Sequence, residues 1–171
     1  GNRNTLREAV TVNSGTGEGE ETVIGDDNLV MAYCHVAHNC CLGSHIIISN
    51  GLAMAGHVTV EDYAVISGLV TIHQFVRIGT MCIIGGSSKI TQDVPPYVMA
   101  NGNPVQLKGL NKVGLTRRGV SEAAQLQLKR AYKLFFRSGM ALDNSIKELE
   151  SQGTLLPEVQ HLVNFVKNSP R

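Results

Sequence analysis

The chain repeats with a period of six residues over a long stretch. From residue 24 to residue 90, every sixth position carries an aliphatic side chain, methionine included, over twelve consecutive hexads. An amphipathic helix repeats every 3.6 residues and a half-buried strand every 2, so neither explains this period. A strict short repeat is typical of a solenoid of stacked coils. The positions are Ile24, Val30, Val36, Leu42, Ile48, Met54, Val60, Ile66, Ile72, Ile78, Ile84 and Ile90.

Three hexads make one triangular 18-residue coil in the known hexapeptide solenoids, which predicts about four to five coils of parallel strands here. Leu6 and Val12 continue the phase backwards, whereas position 18 is a glutamate in a segment rich in glycine and glutamate. We predict a corner loop near residues 15–22. The repeat ends at Pro95-Pro96, because proline removes strand hydrogen-bond donors. It starts abruptly, although an open solenoid end needs protection, so we expect the natural protein to have further coils before residue 1.

Helical signals follow the solenoid after a linker rich in glycine, asparagine and proline. We predict one helix from Ser121-Glu122 to Ser138-Gly139, a second from about 142 to 152, and a third from about 157 to 167 with proline in its first turn. The fold is therefore predicted to be mainly β. Residues 1–104 are expected to form a left-handed parallel β-helix of hexapeptide repeats, and residues 105–171 a C-terminal α-helical domain.

Composition and charge narrow the class of protein. No apolar run is long enough for a membrane span, and Cys34, Cys40 and Cys82 fall on interior positions of the repeat, so we expect a cytoplasmic protein with reduced cysteines. Residues 1–104 hold four Lys or Arg against nine Asp or Glu, and residues 105–171 hold eleven against five. This asymmetry is too weak for a nucleic-acid-binding protein, but it suits an acidic protein partner or a phosphate-bearing ligand.

Five of the six histidines lie between residues 35 and 73. Positions 18 apart share one side of successive coils, about 4.8 Å apart, so His38, His57 and His73 are predicted to lie on one side. His35 falls at the adjoining corner and Gln74 follows His73. Imidazole titrates near neutrality and can accept a proton from a hydroxyl nucleophile. Gly56, directly before His57, would leave a backbone N–H accessible to a developing oxyanion.

Two other functions fit the same pattern. Three histidines can bind zinc, as in a trimeric zinc-dependent carbonic anhydrase-like enzyme on this solenoid. The three occupy different positions in their hexads, which disfavours convergence on one ion, so we expect no metal and no cofactor. The other alternative is a hexapeptide-repeat scaffold without catalytic activity.

Several segments, in order along essentially the whole chain, resemble one family, the UDP-N-acetylglucosamine O-acyltransferases that begin lipid A biosynthesis. The paired-histidine segment, His73-Gln74-Phe75 and the Arg-Arg-Gly segment are together specific for it. The matching stretches are Asn28-Leu29-Val30-Met31, His35-Val36-Ala37-His38-Asn39-Cys40, Leu52-Ala53-Met54-Ala55-Gly56-His57-Val58, His73-Gln74-Phe75, Gln92-Asp93-Val94-Pro95-Pro96-Tyr97 and Gly114-Leu115-Thr116-Arg117-Arg118-Gly119.

The resemblance implies an enzyme that moves a (3R)-3-hydroxyacyl group from acyl carrier protein to the 3-hydroxyl of UDP-N-acetylglucosamine. It implies a homotrimer with sites shared between subunits. His38 matches the general base, Gly56 the oxyanion donor, and Gly86 the position that limits acyl length. The remaining residues match family positions that contact substrate. His35, His57, His73 and Gln74 match positions in the sugar-nucleotide and acyl site, and Asn111 and Arg117 match positions on the nucleotide side.

Three positions depart from the family pattern. Asn39 stands where an aspartate commonly follows the catalytic histidine, Val113 where a nucleotide-contacting glutamate is often found, and Asn13 where a histidine is common. A neutral amide can orient an imidazole ring, but it stabilises an imidazolium less than a carboxylate does.

Overall fold

A computed structural model describes residues 1–169 of the chain. Its first part consists of two-residue strands whose second residue is always the apolar residue of the six-residue repeat. The predicted parallel β-solenoid is thereby confirmed. The strands are β1 (Thr5–Leu6), β2 (Thr11–Val12), β3 (Val23–Ile24), β4 (Leu29–Val30), β5 (His35–Val36), β6 (Cys41–Leu42), β7 (Ile47–Ile48), β8 (Ala53–Met54), β9 (Thr59–Val60), β10 (Val65–Ile66), β11 (Thr71–Ile72), β12 (Arg77–Ile78), β13 (Ile83–Ile84) and β14 (Lys89–Ile90).

Three parallel sheets form the faces of the prism. Sheet A contains β1, β4, β7, β10 and β13, sheet B contains β2, β5, β8, β11 and β14, and sheet C contains β3, β6, β9 and β12. Each strand pairs with the strand one coil away, so that Val36 lies opposite Met54 and Met54 opposite Ile72. The step is longer at the start, where Val12 pairs with Val36. The additional residues lie in the segment 13–22, which joins β2 to β3 without a strand or helix.

The prism interior is filled by the repeat. Val36, Ile48 and Ile66 are fully buried, and a fully buried aliphatic side chain stabilises the fold by about 1.5–3 kcal/mol. Cys34, Cys40 and Cys82 are buried free thiols, as predicted, whereas Cys41 is exposed. This core offsets a conformational cost at the corners of the coils. There, non-glycine residues with φ near +60° recur at one position of the hexad. Each of them costs roughly 1–2 kcal/mol.

The solenoid ends in two strands that the sequence pattern did not predict. β15 (Val98–Asn101) adds to β13 in parallel, and β16 (Gln106–Leu110) pairs with β15 antiparallel. The hairpin extends sheet A beyond the proline pair, because residues 98–101 re-enter the sheet after the turn at 96–97. Sheet A therefore has seven strands within residues 1–169.

Four helices follow: α1 (Lys112–Arg117), α2 (Glu122–Arg137), α3 (Leu142–Ser151) and α4 (Pro157–Lys167). The three predicted helices are confirmed, and the Ser121 hydroxyl caps α2 by accepting a hydrogen bond from the Ala124 N–H at 3.1 Å. The six-residue α1 was not predicted, since so short a helix has little periodicity. None of the helices within residues 1–169 is long and apolar enough to cross a membrane.

Helix α4 returns to the outer face of sheet C. The Nε2 of His161 lies 2.8 Å from the Glu61 carboxylate, and an Arg77 guanidinium N–H donates to the Asn168 carbonyl at 3.0 Å. The same guanidinium lies 4.2 Å from the centre of the Phe165 ring. These contacts attach the C-terminal helices to the solenoid.

We expect the His161–Glu61 pair to make stability depend on pH. The hydrogen bond to Glu61 raises the pKa of His161 above its ordinary value of 6.5. The pair's contribution is therefore complete below the ordinary pKa and is lost as the pH rises through the raised one. Because both groups are partly exposed, its size should be at most about 1 kcal/mol. Thermal melts should show that His161→Gln lowers the melting temperature at about pH 6 but hardly at about pH 9. An equal decrease at both pH values would contradict this assignment.

Candidate active site

The corner between sheets B and C carries a cluster that we call the histidine corner: His38, Asn39, Gly56, His57 and Phe75. These residues follow β5, β8 and β11 at the same point of three successive coils. The His57 N–H donates to the His38 carbonyl at 3.0 Å, and the Phe75 N–H donates to the Gly56 carbonyl at 3.2 Å. Asn39, His57 and Phe75 share the left-handed backbone conformation, so their side chains leave the prism at one corner.

Ring packing fixes the middle of this corner. The imidazole of His57 stacks on the Phe75 ring, with centroids 4.7 Å apart and an interplanar angle of 19°. The His38 ring meets His57 edge-on, at 5.3 Å and 89°. Aromatic contacts of these two geometries are favourable and restrict ring rotation. His57 is therefore held between its neighbours on the adjacent coils.

Gly56 lies directly beside the His38 ring. A Cβ atom at position 56 would be 2.6 Å from His38 Cε1 and 2.8 Å from His38 Nε2. Side chains do not approach this closely, so the ring can occupy its position only because residue 56 is glycine. Within residues 1–169, the Gly56 N–H donates to no protein acceptor.

Asn39 determines which nitrogen of His38 carries the proton. His38 Nδ1 lies 2.8 Å from the amide oxygen of Asn39. An amide oxygen only accepts hydrogen bonds, so Nδ1 must be the protonated nitrogen of the neutral ring. The lone pair is then on Nε2, the nitrogen beside Gly56. His38 can accept a proton there.

Sequence reasoning missed a third member of this network, Glu20. Its carboxylate accepts a hydrogen bond from the Asn39 side-chain N–H at 2.8 Å and another from the Gly17 N–H at 2.9 Å. These hydrogen bonds hold the pKa of Glu20 below its ordinary value, and the one from Asn39 has the largest effect. Glu20 belongs to the segment 13–22 joining β2 to β3, and only the glutamate content of that segment signalled a role.

The two other predicted histidines, His35 and His73, lie close to the histidine corner along the chain. The prediction of His35 at the adjoining corner is wrong, because the residue directly precedes the buried Val36 and lies with it in strand β5 of sheet B. His35 Nδ1 is 2.8 Å from the Thr11 hydroxyl. His73 is exposed and occupies the same position of its coil as Ala37 and Ala55. This position is one residue before the one shared by His38, Gly56 and Gln74. The grid thus places His73 on the predicted side, while the ring that meets His38 is His57. No group of three or more His, Cys, Asp or Glu side chains within residues 1–169 is arranged to hold a metal ion.

Asn111 and Arg117 lie at a different corner, between sheets C and A. Asn111 is buried at the start of α1, where its side-chain oxygen accepts from the Gly114 N–H at 3.0 Å and its side-chain N–H donates to the Met81 carbonyl at 2.8 Å. Arg117 is exposed and lines a cleft of about 370 Å³, which we call the arginine cleft. Its other lining residues are Ile47, Tyr63, Val65, Met81, Ile83, Val113, Gly114 and Arg118, together with Asn111.

Gly86 lies at the third corner, between β13 of sheet A and β14 of sheet B, and is exposed. A Cβ there would meet only the Gly68 carbonyl oxygen at 3.4 Å and Ser67 Cβ at 3.9 Å. The predicted site residues therefore occupy three corners of one prism. A single copy of the chain brings His38, Gly56 and His57 together, but it does not bring them to Asn111 and Arg117.

Comparisons with known proteins agree with this architecture. A family model described as "Udp N-acetylglucosamine O-acyltransferase; Domain 2" matches residues 93–171, and one described as "Bacterial transferase hexapeptide (six repeats)" matches residues 21–53. The acyl-[acyl-carrier-protein]--UDP-N-acetylglucosamine O-acyltransferase of Gloeothece citriformis is 46% identical over 99% of this chain, which spans 61% of that relative's length. The enzyme of the same name from Halorhodospira halophila is 46% identical over 100% of this chain and 67% of its own length.

Solved structures give the same result. The UDP-N-acetylglucosamine acyltransferase of Arabidopsis superposes with a TM-score of 0.93 at 36% identity, covering 98% of this chain and 60% of the plant chain. The enzyme from Campylobacter jejuni superposes with a TM-score of 0.90 at 40% identity, covering 99% of this chain and 67% of the other. This chain thus spans roughly three fifths to two thirds of the length of these four relatives.

Proposed function

This chain belongs to the UDP-N-acetylglucosamine O-acyltransferase family, and we propose that it transfers a (3R)-3-hydroxyacyl group from acyl carrier protein to the 3-hydroxyl of UDP-N-acetylglucosamine. The reaction is the first step of lipid A biosynthesis. The observation that carries the proposal is the pairing of His38 with Gly56, whose Cβ position would lie 2.8 Å from His38 Nε2. This close approach supports the proposal that a general base and an oxyanion-binding backbone N–H act side by side.

In the proposed mechanism, His38 Nε2 accepts the proton of the sugar 3-hydroxyl while that oxygen attacks the thioester carbonyl carbon. The new C–O bond forms as the carbonyl oxygen becomes an oxyanion, which the Gly56 N–H stabilises. Collapse of this intermediate breaks the C–S bond, and the imidazolium returns its proton to the departing sulfur. Base catalysis of this kind contributes about 10²–10⁴-fold. His57 and His35 would position the substrates, together with His73 and Gln74.

We propose that the site is completed by a second copy of the chain, in a homotrimer. Asn111 and Arg117 lie at a different corner from His38, so a nucleotide sugar contacting all three must bridge two subunits. The outer face of sheet A supports this arrangement, because the outward side chains of its strands β4, β7, β10 and β13 are aliphatic and only partly buried in the single chain. They are Leu29, Ile47, Val65 and Ile83, and three of them line the arginine cleft. Apolar faces of this kind commonly form interfaces between subunits.

Acyl carrier protein is the proposed donor protein. The excess of Lys and Arg over Asp and Glu after residue 105 supports docking of an acidic partner. A cytoplasmic location and a division into a repeat domain, residues 1–104, and a helical domain, residues 105–171, belong to the same proposal.

Mass spectrometry of reaction products tests the function directly. The purified protein would be incubated with UDP-N-acetylglucosamine and a panel of acyl carrier protein thioesters of increasing chain length. We expect one acyl group to be added to the nucleotide sugar, with release of the carrier thiol, and no loss of activity after chelation. Failure to acylate with every thioester, or stoichiometric zinc whose removal abolishes activity, would overturn the proposal.

We predict that Gly86→Met shifts the preferred donor to a shorter acyl chain. A methionine side chain at this exposed corner would occupy space along the proposed acyl groove, and each buried methylene that is displaced is worth about 0.8 kcal/mol. The product ratio from competing long and short thioesters should change by about tenfold or more, since losing two such methylenes suffices. Gly86→Ala is the graded control, because its methyl group fits at 3.4 Å from the Gly68 carbonyl oxygen. An unchanged ratio for both variants would remove Gly86 from the groove.

A further inference from the structure

Three side chains form a chain of hydrogen bonds that begins outside the reacting atoms. The Glu20 carboxylate accepts from the Asn39 side-chain nitrogen at 2.8 Å, and the Asn39 oxygen lies 2.8 Å from His38 Nδ1. We propose that Glu20 is a positioning residue that fixes the orientation of the Asn39 amide and, through it, the tautomer of His38. This inference deepens the proposed function, on which it rests for its catalytic consequence.

The orientation of the Asn39 amide decides which hydrogen bonds each group can donate. An amide has two faces, one that only accepts and one that only donates, and rotation of Asn39 by 180° would exchange them. In the observed orientation the oxygen faces His38, so that Nδ1 is protonated and Nε2 is free to act as a base. In the rotated orientation the side-chain NH2 would face His38, which would favour a proton on Nε2. That tautomer cannot accept a proton from a hydroxyl at Nε2.

Glu20 selects between these orientations because an ionised carboxylate accepts hydrogen bonds and donates none. It stays ionised at neutral pH, since hydrogen bonds from Asn39 and from the Gly17 N–H lower its pKa. The donating face of Asn39 must therefore point to Glu20. A rotated Asn39 would bring its oxygen against the carboxylate and lose this hydrogen bond.

The segment 13–22 reinforces the same orientation. The Thr16 N–H donates to the Asn39 oxygen at 3.3 Å, and the Thr16 hydroxyl lies 3.1 Å from that oxygen. The Asn39 backbone N–H donates to the Thr22 hydroxyl at 2.9 Å, which holds the residue at the corner. The segment therefore encloses the Asn39 amide with donors at its oxygen and a carboxylate at its nitrogen.

The charge of Glu20 also compensates for the neutrality of Asn39. When His38 accepts a proton, the positive ring faces an amide whose far side is bonded to a carboxylate. Polarisation along a chain of hydrogen bonds strengthens each of them. Glu20 can thus favour the imidazolium without touching it.

The first test reads the tautomer itself. We would record nitrogen-15 shifts of the histidine rings at a pH where they are neutral, with His38→Gln identifying the His38 signals. The unaltered protein is expected to show His38 protonated on Nδ1, and Glu20→Gln to show a mixture with the Nε2-protonated form. Glu18→Gln, which removes an exposed carboxylate from the same segment, should leave the spectrum unchanged. A tautomer that does not respond to Glu20→Gln would overturn the inference.

The second test compares the effect of Glu20→Gln on kcat in two backgrounds, where opposite signs are expected. Glu20→Gln should lower kcat by about tenfold, a part of what a general base contributes. Asn39→Asp places two carboxylates within hydrogen-bonding distance, where they repel each other. In the Asn39→Asp protein, Glu20→Gln should therefore raise kcat, because the glutamine amide can donate to the new aspartate. A role of Glu20 in merely holding the segment would give losses in both backgrounds, and that result would contradict the inference.

The two proposals fail separately. If the protein acylates no substrate but the His38 tautomer responds to Glu20→Gln, the proposed function fails and the positioning role stands. If the protein is active but Glu20→Gln changes neither kcat nor the His38 tautomer, the positioning role is wrong and the proposed function stands.

Discussion

Replacing His38 with alanine is expected to lower kcat/KM for acyl transfer by about 10²- to 10⁴-fold, the range that a general base contributes. The effect on folding should be small, because His38 is half-buried at a corner and lies outside the aliphatic core of the prism. Single-turnover transfer from an acyl carrier protein thioester measures the loss. Thermal unfolding of the same samples verifies that the fold is retained. Activity within a few-fold of the unaltered protein would favour a solenoid that acts only as a scaffold.

A subunit-mixing experiment provides the control for this prediction. Arg117→Ala should also reduce activity, because the proposed site uses the arginine cleft of a second copy. Co-expressing the His38→Ala and Arg117→Ala chains should then restore part of the activity. The reason is that some subunit interfaces in the mixed oligomers would combine an intact His38 with an intact Arg117. Absence of any recovery in mixed oligomers would indicate that both residues act within one chain.

Gly56→Ala is expected to reduce activity by about 10²- to 10³-fold, comparable to the loss of an oxyanion donor. The added methyl would lie 2.6 Å from His38 Cε1, so the ring must rotate away or the coil must shift. Either response displaces the base relative to the Gly56 N–H. Destabilisation should be limited to about 1–3 kcal/mol, as for other overpacked positions, because the ring can move toward solvent. Steady-state kinetics and thermal melts measure the two effects.

The matched control for Gly56→Ala is the same substitution in the His38→Ala protein. With the imidazole removed, the methyl group has space, and Gly56→Ala should no longer lower the melting temperature. The two substitutions should therefore be strongly non-additive, as expected for residues in direct contact. Equal destabilisation in both backgrounds would place the clash elsewhere in the coil.

Most of the solenoid was predictable because each hexad from residue 24 to residue 90 carries an aliphatic residue at the same position. Val36 and Met54 had to face inward in whatever coil they occupied, and their spacing of 18 placed them opposite each other. The helix at residues 122–137 was predictable from its serine cap and apolar spacing. Helix α1 and the hairpin β15–β16 were not, since they are short and depend on packing against sheet A and the corner at Met81.

The coil, its register and its core follow from the amino-acid sequence alone, because burial of a periodic apolar face depends only on spacing. The same spacing also placed position 56 over position 38, eighteen residues apart. The sequence does not indicate which ring meets His38, how the Asn39 amide is oriented, or that Arg117 lies at another corner. Those outcomes depend on rotamers and on contacts such as Glu20 to Asn39, across a segment outside the repeat. A period cannot specify them, since their energies come from single hydrogen bonds and close contacts between particular side chains.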